Sequence, residues 1–227
     1  ELGDTAIRLV KAFKAVAAVQ NDAFLTKTFA EIEKQATAMT SAVKSDQALS
    51  KLEEADAQRD QAIRVLDKLL KGYENIPLEN LKTHAKKLAE IFKKYGVKIT
   101  GENYASQSTL INSLLGDFSA TELKPSIEAL AGVKEALAEI QTKQNAFAAL
   151  RSDYEKAQVS QKEKSSATSL RKPLLELINK KAVPYLVAMS IAQPELFKNL
   201  TAEASEIITS TNEAIKARSK KEKKEKK

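Results

Sequence analysis

Apolar residues recur at steps of three and four along most of the chain, the spacing of one buried face on an α-helix. The clearest run is Leu49, Leu52, Ile63, Leu66, Leu70 and Tyr73. The same stepping passes through Asp56 and Arg59, so charge stands where the stripe should continue. Caps and breakers divide the rest of the chain around this segment. Asp4-Thr5 caps a first helix with Ile7, Val10, Phe13 or Lys14, and Ala17 on one face; Gln20-Asn21-Asp22 interrupts it, and Asp22 is the next cap. A second helix, with Leu25, Phe29, Ile32 and Met39 inward, is expected to stop near Val43. Ser45-Asp46 then restarts the chain into the organising helix.

That helix ends around Gly72, Asn75-Ile76-Pro77 forms a turn, and the next helix carries Leu81, Leu88, Ile91, Phe92 and Tyr95 as far as a Gly96 stop. Val97 to Asn103 is a connection, and Tyr104 to Phe118 is a shorter helix with Leu110, Leu114 and Phe118 on one side. Ser119 or Thr121 caps a short helix through Leu130, and Gly132 breaks it. A long helix from Val133 to about Gln158 has the stripe Val133, Leu137, Ile140, Phe147, Leu150 and Tyr154. The polar stretch from Gln158 to Ser169 is a loop. Leu170 to Met189 is helical, with Pro173 in its first turn or kinking it and Pro184 kinking it again. Gln193-Pro194 opens a last helix through Leu196, Leu200, Ile207, Ile208 and Ile215.

These elements make seven or eight helices and no strand. The expected fold is all-α: an antiparallel multi-helix bundle in one domain over residues 1–217, followed by a disordered polybasic tail at 218–227. Ala57 to Leu66 and Lys143 to Ser152 both set polar residues into an apolar stripe, which hints at two related halves of about 1–118 and 119–217.

Composition sharpens this picture in three places. With no Trp and few aromatics, the core must be built from Leu, Ile, Val and Ala. The absence of Cys removes disulfides, thiolate metal sites and cysteine nucleophiles. The net charge of +7 is concentrated at one end: Arg218 to Lys227 holds seven basic and two acidic residues, so the body carries only +2. No run of about 18 apolar residues would form a transmembrane helix. The chain begins at Glu1, which leads us to expect that natural N-terminal residues precede it, lost with a signal peptide or by trimming. A cytoplasmic location is expected, with export as the alternative.

Candidate chemistry is sparse. Asp56 and Arg59, three apart on one helix face, are expected to form a structural ion pair that fixes helix register. Glu53, Glu54, Asp56 and Asp60 cluster over two turns, but Lys51, Arg59 and Arg64 neutralise them, and no Glu-x-x-His pair completes a bundle metal site. His84 is the one histidine and lies beside the Leu81–Leu88 stripe as a packing residue. No nucleophile elbow and no phosphate-binding loop is present. We therefore expect no catalytic residue, no cofactor and no metal. In the tail, Arg218, Lys220, Lys221, Lys223, Lys224, Lys226 and Lys227 offer phosphate contacts without a stacking aromatic to read bases. A solvated terminus that aids solubility is the plainer reading.

The order of several features carries a resemblance. Ala55 to Asp60 (ADAQRD) is followed by a helix ending KKYG at Gly96, then by Tyr104 and the LINSLLGDF segment from Leu110 to Phe118. Leu130 to Arg151 then matches a pattern of L-G-hydrophobic, a helix, and Asn-x-Phe before an Arg. Together these resemble an uncharacterised family of all-helical proteins common in Bacteroidales, a domain of unknown function, over most of Ala12 to Lys216. Members of that family carry an aromatic residue, often Trp, after the L-G pair, where this chain has Val133-Lys134, and a histidine-containing N-terminal segment that is missing here. The resemblance implies an all-helical fold with two related halves, and no activity or functional residue. The function expected is that of a non-enzymatic helical bundle in a structural or protein-interaction role, through an unknown partner or self-association. The alternative is a nucleic-acid-associated protein gripping phosphates through its tail. An enzyme ranks third.

Overall fold

Ala23 to Asn75 form one uninterrupted α-helix of 53 residues, α2. The expected break at Ser45-Asp46 does not occur. Ser45 is buried, and its hydroxyl accepts a hydrogen bond from Gln158 Nε2 at 3.1 Å instead of capping a helix start. This computed structural model describes residues 1–160 and 165–225, apart from the side chains of Ser160, Glu222, Lys224 and Glu225. The middle of the expected loop (161–164) and Lys226 and Lys227 lie outside the described residues.

The other helices are α1 (Leu2–Ala15), α3 (Glu79–Lys93), α4 (Tyr104–Phe118), α5 (Lys124–Ala129), α6 (Val133–Ser160), α7 (Ala167–Leu177), α8 (Val183–Ala192) and α9 (Pro194–Glu225). Short 3₁₀ turns at Ala17–Val19, Val97–Gly101 and Thr121–Leu123 join them, and there is no strand among the described residues. The chain is all-α. It divides into two compact units, Glu1–Asp46 with Ala157–Lys227, and Gln47–Lys156. These divisions fall within α2 and α6, away from the 118/119 boundary considered for a duplication.

The first unit is built on α1, the N-terminal part of α2, and α7 to α9. Leu9, Val10 and Phe13 of α1 meet Leu25, Phe29 and Ile32 of α2, and the Phe13 and Phe29 rings stack at 4.5 Å. Ile7 is exposed, because the inward face of α1 runs through Ala6, Leu9, Val10 and Phe13 instead. Asp22 caps α2 by accepting from the Leu25 N–H at 2.9 Å. In α9 the inward residues are Phe197, Leu200, Ala204 and Ile207, which leaves Leu196 and Ile215 at the surface. Pro173 sits inside α7 without ending it. The interruption comes at a π turn, Ile178–Ala182, immediately before α8. Pro184 has no N–H for the carbonyl one turn back and its ring crowds that carbonyl; the wider turn relieves both.

In the second unit, Ile63, Leu66 and Leu70 of α2 pack with Ala85, Leu88 and Phe92 of α3, Ile111, Leu114 and Phe118 of α4, and Val133 and Ile140 of α6. Gly96 and Gly132 hold φ of +62° and +86°, which side chains other than glycine rarely adopt, and they end α3 and precede α6. Asn103 caps α4, accepting from the N–H groups of Ala105 and Ser106 at 3.1 and 3.0 Å. A smaller cluster of Leu52, Ala55 and Phe147, edged by Tyr104, Leu150 and Tyr154, lies beside Arg59 in this unit.

Candidate functional site

Arg59 is fully buried, which is costly for a guanidinium unless every donor finds a partner. It sits where a stripe residue of α2 would sit, between Ala55 and Ala62-Ile63, so the helix aims it into the core of the second unit. Its four terminal N–H hydrogens meet four acceptors. One terminal nitrogen donates to Asp56 Oδ1 at 2.6 Å and Gln107 Oε1 at 2.7 Å; the other donates to Ser108 Oγ at 2.9 Å and Gln144 Oε1 at 3.0 Å. Arg59 Nε has no hydrogen-bond partner. The guanidinium carbon stands 3.7 Å from the centroid of the Phe147 ring, a cation–π contact, and Tyr104 meets Phe147 edge-on at 5.1 Å.

The acceptors are themselves held. Gln107 Nε2 donates to Asp60 Oδ1 at 2.7 Å, and Ser108 Oγ donates to the Tyr104 carbonyl at 2.8 Å. Asp60 also accepts from Arg64, which donates to Thr100 Oγ1. Burial pulls the Arg59 pKa below its ordinary value, and the hydrogen bond and charge of Asp56, then the charges of Asp60 and Tyr104, work in the other direction. The Tyr104 phenol is pushed up, first by burial and then by Asp56 and Glu53. Asp56 keeps a quarter of its side chain exposed. A groove of about 430 Å³ passes beside this part of α2, floored by Ala57, Ala62, Val65 and Ala136, but Arg59, Gln107 and Gln144 do not line it. The arrangement locks three helices around one cation, leaving its terminal donors no free bond for a ligand.

The family model for "Family of unknown function (DUF6261)" matches residues 49–222, which contain the whole of this network. The chain belongs to that family. No curated protein and no solved structure matches it.

Within this DUF6261 chain, the expected Asp56–Arg59 contact is present, three residues apart. The helices also bring in Gln107, Ser108, Gln144 and Phe147, which the sequence reading did not join to Arg59. Gln107 stands four residues before Ile111, and Gln144 lies between Ile140 and Phe147, so each occupies a stripe position as Arg59 does. Three polar residues at buried positions on three helices were the signal. His84 is half-buried, with Nδ1 3.1 Å from the hydroxyl of buried Ser126. Glu53 and Glu54 are exposed, and among the described residues no group of three or more His, Asp and Glu converges as metal ligands would. At the C-terminus, α9 continues through the basic stretch to Glu225; Arg218, Lys220, Lys221 and Lys223 are exposed on it, and Arg218 pairs with Glu1 at 2.9 Å. The Lys224 side chain is among those not described. Among the described residues no helix is long and apolar enough to cross a membrane.

Proposed function

We propose that the protein is non-enzymatic and acts by protein–protein contact, its buried polar residues serving to fix the fold. The observation that carries this reading is the surface of α8. All of its exposed residues are apolar, and Ile191 and Val187 are 78% and 47% exposed. Contiguous exposed apolar surface on a folded chain marks contact sites more often than chance. The saturation of the terminal Arg59 donors supports the same reading, since the most reactive-looking group in the sequence is spent on structure. The test is lysine-directed cross-linking in the cell that makes the protein, reading Lys181 and Lys198, which flank α8. Cross-links from these lysines to another polypeptide or another copy should vanish in Ile191→Asp. An unchanged set in that variant overturns the reading.

A second reading rests on the exposed cations of α9, from Arg218 to Lys223, which would grip phosphates without reading sequence. Binding to random-sequence DNA should then disappear in a chain ending at Ala217. Its log K against log salt should have a slope no steeper than about −6, the limit set by all seven cations between Arg218 and Lys227 at about 0.9 each. Equal binding by both chains would remove the tail from the account.

A further inference from the structure

An α-helix with no charged side chain on any face and few polar ones belongs inside a protein, yet α8 is covered on one side only. Leu186 is buried and Val183, Tyr185 and Met189 are partly buried against the core of the first unit, whereas Pro184, Val187, Ala188, Ile191 and Ala192 are exposed. No charged residue stands between Lys181 and Glu195. Nearby, Phe24 is 43% exposed and its ring lies 4.5 Å from that of Tyr185, and Leu196, just past the α8–α9 turn, is 42% exposed.

We propose that this face pairs with the same face of a second copy of the chain, the two α8 helices lying antiparallel about a two-fold axis near Ala188. The inference rests on the contact reading above and names its partner. Charge complementarity fits a second copy and sets its direction. Lys181, in the π turn, stands at the N-terminal end of α8, and Glu195, in the first turn of α9, stands at its C-terminal end. An antiparallel pair therefore brings each copy's Lys181 toward the other's Glu195, whereas a parallel pair would bring like charges together. Shape agrees with this. The small Ala188 sits at the centre, where the helices must approach closest, and Val187 and Ile191 flank it to fill the space on either side. A two-fold interface uses every exposed residue twice. Phe24 and Leu196 extend the apolar surface beyond one helix, toward the roughly 1,200 Å² that a specific interface buries in total.

Sedimentation of the full chain over a range of concentrations tests this. The wild type should dimerise. Ile191→Asp should stay monomeric with unchanged helical circular dichroism, because the side chain it replaces is already in water. Lys181→Glu and Glu195→Lys should each weaken the dimer about tenfold, two symmetry-related pairs being lost at once, and the double reversal should restore it. Ala188→Cys should form a disulfide-linked dimer on mild oxidation. A chain that stays monomeric throughout, or a dimer indifferent to Ile191→Asp, overturns the proposal. If the purified chain is monomeric while Ile191-dependent cross-links to a different protein persist in cells, the second copy is excluded and the contact reading stands.

Discussion

Replacing Arg59 by Met would strand Asp56, Gln107 and Gln144 in the second unit without their donor. Breaking a buried pair from one side costs about 3–5 kcal/mol, and the partial exposure of Asp56 places the expected loss at the lower end, read by urea unfolding. Arg59→Lys keeps the charge but cannot serve four acceptors in one plane, so a loss of about 1–3 kcal/mol is expected. Gln107→Leu and Gln144→Leu should each cost about 1–3 kcal/mol and fail to add to Arg59→Met, since all three remove the same network. A near-zero effect of Arg59→Met would contradict the arrangement. Of this site the sequence shows the Asp56 contact, because helix spacing reports neighbours within a turn. Gln107 and Gln144 come from 48 and 85 residues away, and which distant helices share a level is decided by packing. The tyrosines give a further check. Tyr95 and Tyr104 are raised above the ordinary phenol value of 10, mainly by burial, and Tyr185 mainly by its 2.6 Å hydrogen bond to Asp22. A raised folded pKa favours the protonated folded state, so this stability is full below pH 10 and is lost as pH rises through the raised values. Phenolate absorbance should show Tyr95→Phe removing one late-titrating group, and unfolding free energy should fall above pH 10.

The helices themselves were largely legible, and the places where they stop were most legible where a backbone need has a specific chemical answer. Asn103→Ala should cost about 1 kcal/mol in the unfolding of the second unit, because both N–H groups it caps lose their acceptor. Gly132→Ala should cost about 1–2 kcal/mol from its positive φ alone; a Cβ there would meet only Leu69, at an ordinary 3.5 Å. Sequence pattern misleads where a residue has two possible uses and the fold takes the less obvious one. Ser45-Asp46 resembles a helix start, yet Gln158 engages the buried serine and α2 runs on. Ile7, Leu196 and Ile215 scored as inward by hydropathy, yet the faces of α1 and α9 are turned by their neighbours and leave all three exposed.

At the scale of the whole chain, the net charge gathers at the C-terminal end. The body carries +2 of the net +7, so a chain ending at Ala217 should lose most of any salt-dependent binding to anions. The uncharged run from Ala182 to Pro194 has a further consequence, for the chain before it folds. Tyr185 to Ala192 is eight residues with no charge and no proline, the composition of segments that stick to one another when unfolded. Lys180 and Lys181 precede it, and Pro184 and Pro194 bracket it, as residues that interrupt intermolecular strand pairing would. Lys180→Ala with Lys181→Ala should therefore lower the yield of refolding from urea increasingly as protein concentration rises, while the unfolding midpoint of the soluble fraction stays close to that of the parent. The face proposed as a contact surface of the folded protein is also a stretch that the unfolded chain needs to protect.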